Sequence, residues 1–448
     1  MSPDPNDEYF ADGMTEELIT SLSWVRQLTV IARTSVMKYK GSQKSASDVG
    51  KELNVGSLIE GSVRKAGNKV RITAQLIDTS TEGHLWAQNY DRQLDDVFAI
   101  QSEIAENVAA ELRIRLVDSE KRTLEKKPTE STEAYSCFLR GRELLREETE
   151  TSFRQALSLF EKAIKLDPSF ARAYVGIADC HQLLVGAGCE ADDIAFPIVK
   201  ASLKRATDLD PNLPEAHAFL SLMLFDLDDI PGAEKEARKS LELNPSLTDP
   251  HNTLGELAAF RGDRVEMVKQ IEAAYQLDPI RPHYIWLLGT VYLYAGREEE
   301  AVELWRKTEQ LAPAAGYRGM VEYYLTKGSL ESAKEFHARA ERLEPTRPWL
   351  IWMGGVIAAM GGERERALLA VKRIEDAKMG PIGLNHIGYV YHALGDLDSF
   401  FEYMNKALEA HALVTLMLMH SPLFAKGRAD PRYSQLMGQL RKQCGLAK

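Results

Sequence analysis

Apolar residues recur along most of the chain with the spacing of one face of an α-helix. Between residues 282 and 315 two such stripes follow each other. They contain Ile285, Leu288, Gly289 and Tyr292, and then Ala301, Trp305 and Thr308. Residues spaced in this way share one side of a helix, and the small residues among them let two helices approach closely. The pattern predicts a pair of packed helices.

This pair returns along the chain, punctuated by a Leu-x-Pro tripeptide. The prolines are Pro168, Pro211, Pro245, Pro279, Pro313 and Pro345, at spacings of 43, 34, 34, 34 and 32 residues. Proline cannot continue a helix and biases the residue before it away from helical backbone, so each tripeptide should end one helix and turn the chain into the next. A period of this size predicts a solenoid of stacked helix pairs.

The repeat resembles the tetratricopeptide repeat, whose order of aromatic or aliphatic residue, leucine, glycine, tyrosine, alanine, aromatic residue, alanine and proline is matched at most places. The resemblance implies an all-α right-handed superhelix over residues 129–448. Eight units are expected, at 134–170, 171–213, 214–247, 248–281, 282–315, 316–347, 348–380 and 381–413. The second unit is nine residues longer, and we place the extra residues in the glycine-rich stretch 185–189. A helix that starts at Asp430 and Pro431 is expected to cap the array.

The first 128 residues show mixed patterning instead. We expect a helix at 12–25, capped by Asp12 with Glu16 and Glu17 in its first turn, and a short strand at 28–32. Further elements are predicted as a helix at 45–53, a hairpin of 56–65 with 69–78, a strand at 84–90 and a helix at 97–116. The alternation of Val70, Ile72, Ala74 and Leu76 with polar residues marks a half-buried strand. The pattern indicates a small α/β domain at residues 1–128.

Five words of this part resemble, in order and spacing, the TolB amino-terminal-like domain of bacterial signalling proteins. They are Tyr9–Leu18, Val30–Ser35, Glu60–Arg64, Val70–Asp78 and Leu85–Ala87. In that family the domain commonly joins an upstream output module, a class III nucleotide cyclase, a winged-helix domain or a Ser/Thr kinase, to a tetratricopeptide array. Family members carry an apolar strand before the first word, whereas this sequence starts inside the loop that follows it. We therefore expect the first strand to be missing and one sheet edge to be unpaired.

Composition narrows the range of partners. The net charge is −11 with interspersed acids and bases, which disfavours nucleic acid and anionic membranes. The longest apolar runs, 350–360 and 412–419, are too short to span a bilayer, and no signal peptide is encoded at the start. Cys137, Cys180, Cys189 and Cys444 lie far apart without a C-x-x-C pair. Reduced thiols in a cytoplasmic protein are the favoured interpretation over disulfides or a metal site.

The sequence offers no candidate catalytic residue. It contains no phosphate loop, dinucleotide fingerprint, H-E-x-x-H motif or G-x-S-x-G elbow, and no kinase or cyclase signature. His181 with Cys180 and Cys189 fits no zinc spacing, so we interpret His181 as a core or groove residue. We expect no metal and no cofactor. Asp95–Asp96 and Asp192–Asp193 are interpreted as helix caps or solvated turns.

What remains is a binding surface. In tetratricopeptide arrays, as the resemblance implies, positions 2, 5, 9, 12 and 13 of each first helix face a concave groove that holds extended peptides. The predicted groove residues are Arg172, Asp179, Asn252, Glu256, His283, Trp286, Tyr294, Trp349, Trp352, Asn385, Tyr389 and His392, with Gln182, Glu215 and Asp226 beside them. The groove should be polar at its start and aromatic toward its end, although some of the rings could equally pack against the next repeat.

These observations predict a non-catalytic scaffold or sensor, the regulatory part of a bacterial signalling system, that binds a protein or peptide. The alternative is a fragment of a class III adenylate or guanylate cyclase, of a Ser/Thr kinase or of a winged-helix regulator whose output domain is missing from this chain. The ligand, the signal, the true start and the oligomeric state stay open, since solenoids also associate end to end.

Overall fold

The computed structural model describes residues 8–66, 69–93, 96–187, 189–377, 379–410 and 420–443. The chain divides into two compact units, unit 1 with residues 1–221 and 236–250 and unit 2 with residues 222–235 and 251–448. Predictions for the first residues, the 67–68 turn, Asp95, the run 412–419 and Cys444 lie outside the described residues. The boundary expected at residue 128 stays a prediction.

Unit 1 opens with helices around an antiparallel sheet of order β1-β2-β3. The elements are α1 (Glu8–Ser23), α2 (Arg33–Met37), α3 (Ala46–Leu53), β1 (Ser57–Ala66), β2 (Lys69–Asp78), β3 (His84–Gln93), α4 (Val97–Glu111) and α5 (Asp118–Glu125). The predicted hairpin is confirmed, with Ala66 opposite Lys69. The alternating apolar residues of β2 are buried, as their period of two requires. Ser45 caps α3 by accepting a hydrogen bond from the Asp48 backbone N–H, also as predicted.

Three predictions for this part are wrong. Helix α1 begins at Glu8, so Asp12 lies inside the helix, where its carboxylate pairs with Lys40 at 2.7 Å. No strand forms at 28–32, because the Val30 backbone N–H donates to the Ser246 side chain at 3.3 Å instead of to a neighbouring strand. The helix expected to reach residue 116 ends at Glu111, shortly before Arg113 adopts a positive φ of 59°.

Eight helix pairs follow, as the repeat predicts. They are α6 (Thr132–Leu144) with α7 (Glu150–Leu166), α8 (Ala171–Gly186) with α9 (Asp192–Leu209), α10 (Pro214–Asp226) with α11 (Ile230–Leu243), α12 (Thr248–Arg261) with α13 (Arg264–Leu277), α14 (Pro282–Tyr294) with α15 (Glu298–Leu311), α16 (Pro313–Thr326) with α17 (Leu330–Leu343), α18 (Pro348–Met360) with α19 (Arg364–Asp376), and α20 (Gly380–Ala393) with α21 (Leu397–Glu409). Two helices end the described chain, α22 (Ala425–Ala429) and α23 (Pro431–Gln443). Among the described residues no helix combines the length and the apolar character needed to cross a membrane.

Two details of the repeats differ from the expectation. Pro313 is the first residue of α16 instead of part of a turn, which accounts for the shortened 32-residue spacing that follows it. The extra residues of the second unit lengthen its helices to 16 and 18 residues rather than only forming a loop. The start of α23 is confirmed, because the Asp430 carboxylate accepts a hydrogen bond from the Arg432 backbone N–H at 2.9 Å.

Unit 1 has one continuous main core. Phe10 of α1, Ile72 of β2 and Ile104 of α4 belong to the same buried cluster as Phe138 of α6 and Phe160 of α7. The sheet and the first two helix pairs therefore bury their apolar surface against each other. A separate small cluster is formed by Ile31 with Val49 and Leu53 of α3.

Glycine sets the distance between helices inside the repeats of unit 2. The Trp305 ring of α15 is fully buried, and it lies so close to Gly289 of α14 and Gly319 of α16 that an added Cβ would meet the ring at 2.6 Å and 2.4 Å. The Trp305 indole N–H donates to the Trp286 carbonyl at 3.2 Å. These two glycines of first helices thus make room for one large side chain of a second helix.

Substituting Gly319→Ala should destabilise unit 2 by about 1–3 kcal/mol, because the methyl group overlaps a buried ring that has no space to move. The matched control is Gly438→Ala in α23, where a Cβ meets nothing within 4 Å. That change should be neutral or slightly stabilising, since alanine favours helical backbone over glycine. Denaturant unfolding followed by circular dichroism measures both variants, and equal stabilities would contradict the packing argument.

Candidate functional site

The predicted groove residues lie on one stripe of the first helices, which we call the first-helix face (positions 2, 5, 9, 12 and 13 of each unit). The structure places only His283 among the twelve in the exposed class. Arg172, Asp179, Asn252, Glu256 and Trp286 are partly buried. Tyr294, Trp349, Trp352, Asn385, Tyr389 and His392 are buried. The order from polar to aromatic is as predicted, but most of the face is covered, and the covering groups belong to this chain.

In unit 1 the covering element is α1. The Arg142 guanidinium of α6 donates two hydrogen bonds to Glu16 Oε1, at 3.1 and 2.9 Å, and one to Asp179 at 3.0 Å. Arg146 also bonds Glu16, and Arg172 bonds Glu17. Acids of one helix thus meet arginines of the repeat stripe in a partly buried network.

The pKa values of the two α1 acids are shifted in opposite directions. Burial alone would raise the pKa of Glu16, but the charges of Arg142, Arg146 and Arg33 outweigh burial and lower the pKa to about 2. Burial raises the pKa of Glu17 despite the charge of Arg172. Glu16 is therefore the ionised centre of the network.

In unit 2 the polar part of the face is held by a side-chain pair on α12. The Asn252 amide donates to Glu256 Oε1 at 3.1 Å. Burial raises the pKa of Glu256 to about 7, and the charge of Asp226 adds to the rise. This carboxyl group is accordingly a mixture of protonated and ionised forms near neutral pH.

The aromatic part begins with contacts between successive first helices. The Arg318 guanidinium of α16 lies 4.4 Å from the centre of the Trp286 ring of α14, within cation–π range. The Tyr294 hydroxyl donates to Glu322 of α16 at 3.0 Å. Burial raises the pKa of Glu322 and so favours the protonated, neutral form of its carboxyl group.

The last part of the face is covered by residues 420–429, which we call the closing segment. The centre of its Phe424 ring lies 4.6 Å from the centre of the Tyr389 ring and 5.1 Å from that of the His392 ring. The Gly427 backbone N–H donates to His392 Nε2 at 3.1 Å. An added Cβ at Gly427 would lie 2.9 Å from Phe400 and 3.1 Å from His392, so the segment fits closely.

Trp352 is buried by its neighbours on the face. Its ring stacks on His386 at 5.3 Å and meets Tyr389 edge-on at 5.7 Å, and only 2% of the residue is exposed. Trp352 is thus a packing residue, and its removal should cost stability. The burial of the ring agrees with the packing alternative, and a role as an anchor stays a prediction.

No chemistry beyond binding emerges from the other candidates. The His181 ring lies 2.6 Å from Glu190, while Cys180 is a buried thiol. Within the described part of the chain, no group of three or more His, Cys, Asp or Glu side chains could hold a metal ion. His181 of α8 is therefore paired with Glu190, which lies between α8 and α9.

Sequence reasoning missed the segments that cover the face. From the sequence, Glu16 and Glu17 are expected to complement the helix dipole. Two adjacent acids between the apolar residues Met14 and Leu18 are also a signal for buried ion pairs. Phe424 lies in a short apolar stretch after the last repeat, and its sequence alone carries no sign of where it packs.

Comparison with known proteins confirms the repeat type. Residues 383–410 match the family model described as "Tetratricopeptide repeat". The chain is 38% identical over 227 residues to a "Putative adenylate cyclase 3" of Rhizobium meliloti (strain 1021), covering 50% of this chain and 38% of that protein. It is 27% identical over 152 residues to "Transcriptional regulator HilA" of Salmonella typhimurium, covering 34% of this chain and 27% of that protein. The chain thus spans well under half the length of these relatives.

Among solved structures, a thermophilic tetratricopeptide protein of Thermus thermophilus is similar, with 20% identity and a TM-score of 0.33. The match covers 40% of this chain and 92% of that one. At this score the likeness gives no information on ligands.

Replacing Glu16 by glutamine should destabilise unit 1 by about 3 kcal/mol, because Arg142 and Arg146 would keep their charges in a partly buried site without the anion. Glu133→Gln is the control, since Glu133 pairs with Lys162 on the exposed surface and should melt like the parent. Chemical denaturation compares the three proteins. A Glu16 variant as stable as the Glu133 variant would show that the network contributes nothing.

The closing segment should respond to acid through His392. Burial, followed by the charges of Lys426 and Arg428, lowers the pKa of His392 from 6.5 to about 4. Between pH 6.5 and 4 the unfolded chain binds a proton at this histidine and the folded chain does not. The free energy of unfolding therefore has its full value above pH 6.5 and falls as the pH drops toward 4. The loss assignable to His392 is at most about 3 kcal/mol.

His392→Gln removes this proton uptake, so its unfolding free energy should fall less steeply between pH 6.5 and 4 than that of the parent. His386 also has its pKa lowered to about 4 by burial and by Arg318, and will keep part of the slope. Urea titrations at pH 8, 6 and 4.5 make the comparison. Parallel curves for variant and parent would exclude His392 as the acid-sensitive group.

Proposed function

We propose that this chain is a non-catalytic scaffold or sensor that binds a protein or peptide, and that it serves as the regulatory part of a bacterial signalling system. The observation that carries the proposal is the array of eight helix pairs, because repeat arrays expose stacked helix faces instead of building an enclosed reaction centre. We take residues 1–128 as its TolB-like α/β domain and residues 129–448 as the repeat domain. The scattered cysteines favour the cytoplasm as its location.

The partner should meet the first-helix face where the chain's own segments leave it open. In unit 2 such places include Leu222 at 37% exposure, His283, and Ile382 at 44% exposure. The groove residues inferred from the sequence remain our proposal for the wider contact area. Buried members such as Tyr389 and His392 would take part only after the closing segment moves.

The alternative is that the chain is the regulatory part of a cyclase, of a kinase or of a winged-helix regulator. The name of the Rhizobium relative favours the cyclase and that of the Salmonella relative the regulator. Reading the gene in frame upstream of Met1 separates these from an independent scaffold. An in-frame cyclase, kinase or winged-helix domain would favour the alternative over the interpretation as an independent scaffold.

Binding is tested by selecting a displayed random peptide library on the full chain. We expect enriched peptides whose affinity falls at least about tenfold with Leu222→Glu, because one lost apolar contact together with a misplaced charge exceeds about 1.4 kcal/mol. Val265→Glu is the matched control, since Val265 is equally apolar and 81% exposed but lies on a second helix, α13.

Two results would contradict the proposal. One is a library that yields no enriched peptide, and the other is equal loss of binding in both variants. Incubation of the full chain with ATP or GTP and Mg²⁺ provides the catalytic check. Formation of a cyclic nucleotide would overturn the non-catalytic part of the proposal.

A further inference from the structure

Unit 1 contains a cavity of ≈ 330 Å³ beside the network of α1 and the repeat arginines. Four carboxylates and three guanidinium groups line it, together with apolar side chains. The carboxylates are those of Glu16, Asp179, Glu215 and Asp249, and the guanidinium groups are those of Arg33, Arg142 and Arg172. A pocket of this volume that combines apolar walls with a few polar groups is typical of a small-molecule site.

The arginines of the lining already face carboxylates of this chain, although Arg33 Nε makes no hydrogen bond. Arg142 is bound by Glu16, with Arg33 3.7 Å from the same carboxylate, and Arg172 is bound by Glu17. Asp179 pairs with Arg142, which also pairs with Glu16. The three guanidinium groups are therefore shared by a larger number of carboxylates.

The pKa of Asp179 reflects its burial and the carboxylates near it. Burial raises the pKa of Asp179 to about 6 even though Arg142 lies 3.0 Å away, and the charges of Asp249 and Glu16 add to the rise. A carboxylate beside an arginine ordinarily has a lowered pKa. Burial thus outweighs the arginine, and the two neighbouring carboxylates add to the effect.

Glu215 supplies a second, independent observation. Its Oε2 atom is shielded from solvent and accepts no hydrogen bond. A shielded carboxylate oxygen without a donor is unfavourable, and such groups in folded proteins usually have a partner. None of the described groups donates to this oxygen, and a cationic donor bound in the cavity would supply the missing hydrogen bond.

We propose that this cavity binds a small organic cation, an alkylammonium or alkylguanidinium, whose head pairs with Glu215 and Asp179. Its hydrocarbon part lies against Phe138, Val175 and Phe219, which contribute the apolar lining. The inference does not depend on the peptide binding proposed above, because the ligand is a free small molecule and the site lies in unit 1.

The test uses the full chain at pH 7.5 and a pair of probes of equal shape, butylguanidinium and its uncharged counterpart butylurea. Isothermal titration calorimetry should give saturable binding for butylguanidinium and none for butylurea. Glu215→Gln should weaken butylguanidinium binding about 10- to 100-fold, as expected for the loss of a hydrogen bond to a charged group. Glu161→Gln, which removes an exposed acid of α7, is the control and should bind like the parent.

The outcomes decide the matter either way. Equal binding of both probes would mean that the cavity recognises shape without charge. An unchanged affinity in Glu215→Gln would place the cation elsewhere. Absence of heat at millimolar probe, with no rise of the melting temperature, would assign the cavity to water alone, and each of these three results overturns the proposal.

Discussion

The constraint behind this structure is that a two-helix unit cannot cover its own apolar side. Each pair must find another surface, and a glycine in the first helix brings the second helix close enough for one large side chain, such as Trp305 against Gly289, to fill the gap. Stacking meets this need along the array. Stacking leaves the first-helix face uncovered. Segments of the same chain cover parts of this face, α1 in unit 1 and the closing segment in unit 2.

The two coverings rely on different physics. Helix α1 is held by charge, because Glu16 and Glu17 meet arginines of the repeat stripe in partly buried surroundings. The closing segment is held by shape and by a neutral imidazole, because Phe424 lies on Tyr389 and the Gly427 N–H needs the lone pair of His392. Salt concentration should therefore matter more for the first covering and acidity more for the second.

The periodic part of the fold could be predicted from the sequence, because helix spacing and proline position are local properties. The eight helix pairs, the β1–β2 hairpin and the Ser45 cap all follow from residues near each other in the chain. The expected strand at 28–32 failed because Ser246, more than 200 residues away, satisfies the Val30 N–H. The covered face was missed for the same reason, since a repeat pattern shows which positions point outward but not which distant segment returns to them.

The close fit of Gly427 has an evolutionary consequence. Between Phe400 and His392 there is no room for even a methyl group, so the covered state depends on a residue without a side chain at this one position. Related chains can be sorted by it. In a relative with alanine or a larger residue at this position, the closing segment could not pack against the first-helix face. The aromatic part of that face would then be accessible to a ligand.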